Sequence, residues 1–264
     1  MLDLCSSGWR QGSVLPGSLA EELVSFTPAT VDLTERDFVV VVSHDCDVCQ
    51  PDLSKEPWVD LIVVRTLGRS VDGGLTFGKN PRLLEFDAEV EGRHITGRVS
   101  AAERWLAPRE RLATSTPSGH LRTSPDNLIA SWLGGRYVRE AFPDEFNRRC
   151  EPIARELRRV LGSRAQDLNA IYLVMDDAEL PVGTDYILVM RGTMLDERYR
   201  TTDRRNAAQL ALDSTAALLS RCEGIDVVEA ALVSEAEISL HDVRVMKRWS
   251  PFDTLSLPGE EITG

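Results

Sequence analysis

The chain is predicted to be an α+β protein with an N-terminal β-rich half, a helical middle and a C-terminal α+β layer. Three observations carry this. Short runs of β-favouring apolar residues, separated by turn signals, fill the first hundred positions. From about residue 101 the apolar residues recur at helical spacing. The last hundred positions then read strand, strand, helix, strand.

Gly8 to Pro16 is a turn entering a short strand, and residues 18–24 supply one or two helical turns. Phe38-Val39-Val40-Val41-Val42-Ser43 reads as a buried strand, followed by His44-Asp45-Cys46-Asp47-Val48-Cys49. Trp58 to Val64 is a second buried strand, and Asp72-Gly73-Gly74 marks a turn. Residues 83–90 and 94–99 flank Glu91-Gly92-Arg93 as a hairpin. Several short strands around one core predict a small barrel or a strongly bent sheet.

Ser124-Pro125-Asp126 starts a helix that places Leu128, Ile129, Trp132, Leu133 and Tyr137 on one face. A second helix, 144–161, has an apolar stripe of Phe146, Cys150, Ile153, Leu157 and Val160, with arginines largely off it. Strands follow at 170–175 and 186–190, then a helix over roughly 203–222, a strand at 225–233, a short helix capped by Ser239 and a final strand at 252–257. A boundary falls in the Pro/Ser/Thr-rich stretch Ala113 to Ser124, giving a β-rich domain 1–112 and a helical and α+β region 113–264.

The net charge of −12 disfavours a general electrostatic grip on nucleic acid. It is uneven, however: residues 136–164 carry eight arginines against five acids, so a local basic face could still serve. Five cysteines, an odd number, imply reduced thiols rather than a disulfide framework. The start lacks the pattern of a signal peptide and no run is long enough to span a bilayer, so a cytoplasmic location with no membrane partner is expected.

Chemistry is expected at the polar end of the 38–43 strand. Asp45 and Asp47, two apart on an extended segment, would point the same way and hold a magnesium or manganese ion, with Asp60 or Glu85 as further ligands. Cys46-x-x-Cys49 is half a zinc site that only Cys5, His94 or His120 would complete. Cys46 is alternatively a nucleophile with His44 or another histidine as base, or the Cys46/Cys49 pair is a redox dithiol. In the plain alternative, His44, Asp45 and Asp47 cap a turn while Cys46 packs inward.

Trp9-Arg10-Gln11-Gly12 together with Ser43-His44-Asp45-Cys46-Asp47 resembles a pattern of uncharacterised bacterial proteins, which implies no particular activity. Gln11-Gly12-Ser13-Val14-Leu15 followed by Val40-Val41-Val42-Ser43 is similar, over about forty residues, to the small-barrel ribonuclease toxins of the PemK type. Ser13 stands where an aspartate is usual in them; the similarity implies an SH3-like barrel and no transfer of catalytic residues. The leading expectation is metal-assisted hydrolysis of a phosphodiester in nucleic acid. Asp45 and Asp47 hold the ion, His44 and Cys46 complete the catalytic set, and Arg10, Arg148 and Arg149 bind phosphate. The rivals are a non-catalytic protein-binding or homo-oligomeric assembly module of a bacterial regulatory or defence system, and thiol chemistry at Cys46.

Overall fold

The computed structural model describes residues 3–27, 31–139, 141–164, 167–176, 178–181 and 183–250. The expected strand at 252–257 lies outside the described residues. The chain forms two compact units: Met1–Val71 with Pro81–Tyr137, and Asp72–Asn80 with Val138–Gly264.

The first unit is a closed barrel of six antiparallel strands. These are β1 (Ser13–Val14), β2 (Phe38–Val41), β3 (Trp58–Leu67), β4 (Leu83–Val90), β5 (Arg93–Pro108) and β6 (Gly119–Thr123), and they pair in the order β1-β2-β3-β5-β4-β6. β6 returns to β1 with Ser13 opposite His120, which closes the barrel. The expected boundary at 113–124 is therefore displaced: that stretch contains the closing strand.

Alternation of side chains separates two apolar layers. Val14, Val40, Val42, Ile62, Val64, Leu84, Phe86, Ala88, Val90, Val99 and Leu121 form a single cluster drawn from all six strands, the barrel interior. Ile129, Trp132 and Leu133 of α3 (Leu128–Gly135) belong to the same cluster. The intervening residues Val39, Val41, Val59, Leu61, Val63, Trp105 and Ala107 are covered by Leu4, Trp9 and Leu112, and by Leu19, Ala20 and Leu23 of α1 (Gly17–Val24). Strands buried on both faces lose the period-two pattern, and for this reason 38–42 and 61–64 read as unbroken apolar runs.

The hairpin between β4 and β5 turns on two residues with positive φ, Glu91 and Gly92, the geometry that suits a two-residue connection. β5 continues to Pro108, where helix was expected from 101 onward. Pairing of residues 104–108 with Trp58–Ile62 overrides the helical propensity of Ala101-Ala102-Glu103-Arg104. Tyr137, expected on the buried face of α3, lies past its end and is 78% exposed.

The second unit has a four-stranded sheet, ordered β10-β7-β8-β9, from β7 (Ala170–Val174), β8 (Tyr186–Met194), β9 (Ile225–Ser234) and β10 (Lys247–Trp249). β8 and β9 run parallel and the other pairs antiparallel. The helix expected over 144–161 is broken into α4 (Asp144–Cys150) and α5 (Ala154–Arg164) by a 3-10 turn at Glu151–Ile153 that carries Pro152. Phe146, Cys150, Ile153 and Leu157 are buried as their spacing predicts, against Ala208, Leu212 and Leu219 of α7 (Thr202–Leu219). Two short helices complete the unit: α6 (Asp196–Tyr199), and α8 (Leu240–Val245), which Ser239 caps through a reciprocal bond with Asp242.

Residues 72–80 belong to this second unit although they lie between β3 and β4 in sequence. Lys79 is buried within this excursion and holds its loop together, its Nζ donating to the Gly73 carbonyl at 2.7 Å and to Thr76 Oγ1 at 3.3 Å. Burial pushes its amine down to about 7, with Arg248 adding to the effect while Asp72 and Asp167 oppose it. An amine whose folded value lies below its unfolded one favours the folded state most above the unfolded value. That contribution declines as the pH falls through the folded value. Between pH 7 and about 10.5, the ordinary lysine value, Lys79 is expected to make the protein more stable as pH rises. Urea unfolding midpoints at the two ends of this window, compared between wild type and Lys79→Met, check it: the variant should lose part of the upward slope.

Candidate functional site

The Trp9-Arg10-Gln11-Gly12 segment is built onto the end of β2. Trp9 is fully buried, and its indole N–H donates to the Ser115 carbonyl at 3.0 Å. Beyond this anchor the Arg10 N–H donates to Ser13 Oγ, and the Ser13 N–H returns to the Arg10 carbonyl, closing a tight turn. Gly12 has φ +83°, a conformation that side chains other than glycine's rarely tolerate. The Gly12 N–H donates to the Val41 carbonyl, its own carbonyl accepts from Leu121, and Gln11 Nε2 donates to the Val42 carbonyl at 2.7 Å.

The polar end of β2 is a helical turn, α2 (Asp45–Val48), not the extended segment expected. His44 is its N-cap: Nδ1 accepts from the Cys46 N–H at 3.2 Å. Asp45 Oδ1 accepts from the Gln11 N–H at 2.7 Å and so joins the turn to the Trp9–Gly12 segment. Residues two apart on a helix project about 200° from one another, so Asp45 and Asp47 diverge and the premise of a converging pair is corrected. Among the described residues no group of three or more histidine, cysteine, aspartate or glutamate side chains is placed to hold a metal ion. Asp60, named as a possible third ligand, makes a bidentate pair with Arg104; Glu85 is buried between Arg69 and Arg98.

Cysteine pairing overturns two further expectations. Cys5 and Cys49 form a disulfide across 44 residues, with Cα atoms 5.2 Å apart. The chain is thus not wholly reduced, and the Cys46-x-x-Cys49 half-site for zinc loses one of its thiols. The odd total misled here: Cys46, Cys150 and Cys222 remain free, two of them buried in the second unit. Cys46 is exposed and does not pack inward.

The expected phosphate ligands part company as well. Arg10 is exposed beside the turn it begins. Arg149 is buried, and its guanidinium donates to Glu145 and to the carbonyls of Thr184, Gly224 and Pro181, which removes it from any outward-facing role. Arg148 lies on the surface, paired with Glu145, whose carboxyl these two arginines hold down at about 2.

The residue whose place beside Gly12 the sequence does not reveal is His120, expected only as a distant zinc ligand. Gly12 lies so close under its ring that a β-carbon there would sit 2.8 Å from Cε1 and 2.9 Å from Nε2. Its Nδ1 is buried with no hydrogen-bond partner. Burial lowers the imidazole below the usual histidine value; nearby Arg10 and Arg122 lower it further, while Asp45 and Asp126 pull it back. His120 and Arg122 are two apart on β6 and share a face, a spacing that could have flagged them. Next to Gly12 a shallow pocket opens between the barrel end and α3, lined by Gln11, Gly12, Val42, Thr123, Asp126 and Asn127 among others.

The arrangement puts an imidazole whose proton affinity is lowered by burial within the field of two guanidinium and two carboxylate groups. Such a set can exchange a proton and receive an anion. In class, then, the first unit is a closed antiparallel barrel with an ionisable cluster at one end. Comparison of the chain with protein-family models, with curated proteins and with solved structures gives no match. Among the described residues no helix is long and apolar enough to cross a membrane.

Proposed function

We propose that the barrel end formed by Arg10, Gln11, Asp45, His120 and Arg122 binds a phosphodiester of nucleic acid and cleaves it. The observation that supports this most is the His120 imidazole, lowered by burial and by the charges of Arg10 and Arg122. In this reading His120 takes the proton from the attacking hydroxyl while the two arginines face the phosphate oxygens. His44, whose Nδ1 caps α2, positions the turn rather than the proton. Asp45 is the carboxylate available to a magnesium or manganese ion, since only its Oδ1 is engaged by Gln11.

The test is cleavage of labelled single-stranded RNA and DNA, each with magnesium, with manganese and with a chelator. Removing a general acid-base group typically lowers the rate 100-fold or more, so His120→Ala is expected to lose at least about 100-fold, and Arg10→Ala to weaken substrate binding. The acid limb of the wild-type rate should lie below the usual histidine value, because the base is the neutral imidazole and its titration is displaced downward. Cleavage unchanged in His120→Ala, or absent with every substrate and ion, rejects the proposal.

A second reading, a non-catalytic assembly module, is favoured by one observation in the second unit. Val174, Ile187 and Val228 of its sheet are between 40% and 57% exposed, outside the cluster that packs on α5 and α7. Sedimentation equilibrium of wild type and Ile187→Asp distinguishes it: only an assembly module changes mass with that substitution.

A further inference from the structure

We propose that Cys46, Cys49 and Cys5 form a thiol–disulfide exchange centre in which Cys49 alternates between two partners, Cys5 and Cys46. This is independent of the phosphodiester reading.

Three features support it. Cys46 lies within α2 and Cys49 is its C-cap, with φ −85° and ψ −3°, and the Cys49 N–H donates to the Asp45 carbonyl in helical fashion. Two residues three apart on such a turn have α-carbons about 5 Å apart, from the helical rise and radius. That lies inside the range a disulfide spans, and so does the 5.2 Å between Cys49 and Cys5. The α-carbon spacing therefore suits a bond from Cys49 to either of the others. Cys46 is free and exposed, and Cys5 is exposed too, so both sulfurs that compete for Cys49 are accessible.

The third feature is that the N-terminal loop can release Cys5 without coming apart. On either side of it Leu4 and Trp9 are each about 1% exposed, and the Trp9 N–H donates to the Leu4 carbonyl. These anchors hold the ends of the loop whichever bond Cys49 makes.

The step balances within the protein. The Cys46 thiolate attacks Cys49 Sγ, the Cys46–Cys49 bond forms and the Cys5–Cys49 bond breaks. Its electron pair leaves on Cys5, which takes up from solvent the proton that Cys46 gave up. One thiol and one disulfide are present before and after, with no net oxidation. Functionally, the exchange moves the free thiol from the α2 turn to the segment that leads directly into Arg10 and Gln11.

The full chain tests this. Protein is held at mildly alkaline pH in a glutathione buffer, quenched in acid, alkylated at free thiols and digested with trypsin. Before exchange, peptide 1–10 is joined to peptide 37–55 and the label sits on Cys46. Exchange is expected to move label to Cys5 and to give a 37–55 peptide with an internal bond, lighter by two hydrogens than its dithiol form. Cys46→Ser should abolish the movement of label. Cys5→Ser should form the Cys46–Cys49 bond when treated with oxidised glutathione. Label confined to Cys46 in wild type, or a Cys5→Ser chain that yields only glutathione adducts or free thiols, overturns the proposal.

Discussion

Replacing Trp9 by alanine is expected to lower the unfolding free energy by about 3–5 kcal/mol, the range for removing a large aromatic side chain from a packed interior. Trp9 is only 1% exposed and packs with Leu4, Leu15, Leu19, Leu112 and Trp105 in the layer outside the barrel. The loss has two parts that a second variant separates. Trp9→Phe keeps most of the apolar volume but leaves the Ser115 carbonyl without its indole donor, a cost of about 1–3 kcal/mol. Urea unfolding followed by circular dichroism should rank wild type above Trp9→Phe, and Trp9→Phe above Trp9→Ala. Equal stability of wild type and Trp9→Ala would show that this segment is not the anchor described here.

Gly12→Ala is the second large effect, and it acts on stability and site together. The positive φ alone costs a residue with a β-carbon roughly 1–2 kcal/mol. The new methyl group would also stand 2.8 Å from the His120 ring and 2.9 Å from the Leu121 carbonyl oxygen. Backbone cannot give way easily, because Gly12 is bonded to Val41 on one side and Leu121 on the other. The imidazole must move, and with it the group proposed to transfer the proton. Gly12→Ala is thus expected to lower stability by about 2 kcal/mol or more and to reduce cleavage alongside His120→Ala. A double-mutant cycle makes this specific. In the His120→Ala background the ring is gone, so Gly12→Ala should cost measurably less, and strict additivity would contradict the contact.

The strands and helices of this chain were largely legible because its apolar residues keep their periods. The stripe from Phe146 to Leu157 and the inward residues Ala208, Leu212, Thr215, Leu219 and Cys222 are all buried where the spacing places them. What could not be read depended on partners remote in sequence. β5 runs seven residues past the point where helix was expected to begin, because β3 pairs with it there. Pro152 divided a helix whose apolar stripe ran straight through it, since the 3-10 turn keeps Ile153 facing the same core.

At the site, the Trp9–Gly12 segment and the His44–Cys49 turn were both singled out, and the structure does join them, through Gln11 and Asp45. The turn's conformation was misjudged. Asp45 and Asp47 were placed as on a strand, whereas the His44 cap begins a helix at Asp45. His120, over a hundred residues from Gly12, was weighed only as a distant zinc ligand, for nothing near it in sequence marks the glycine beneath its ring. The disulfide was hidden for a similar reason: 44 residues separate its cysteines, and one of them sits in a Cys-x-x-Cys pair that points to a different partner.

The excursion 72–80 has a consequence for how this chain can be cut or inherited. Because that segment lies within the barrel sequence and yet packs with residues after 138, the polypeptide passes between its two units three times. Phe77 and Lys79 offer their carbonyls to Arg248 and to Ser250, at the far end of the chain. No single cut therefore yields two whole pieces: a fragment ending near Tyr137 strands this loop without its acceptors' donors, and one beginning at Val138 lacks the buried lysine. The two units are interlocked in the gene as one reading frame, so recombination can exchange or duplicate them only together, or by replacing the loop as well.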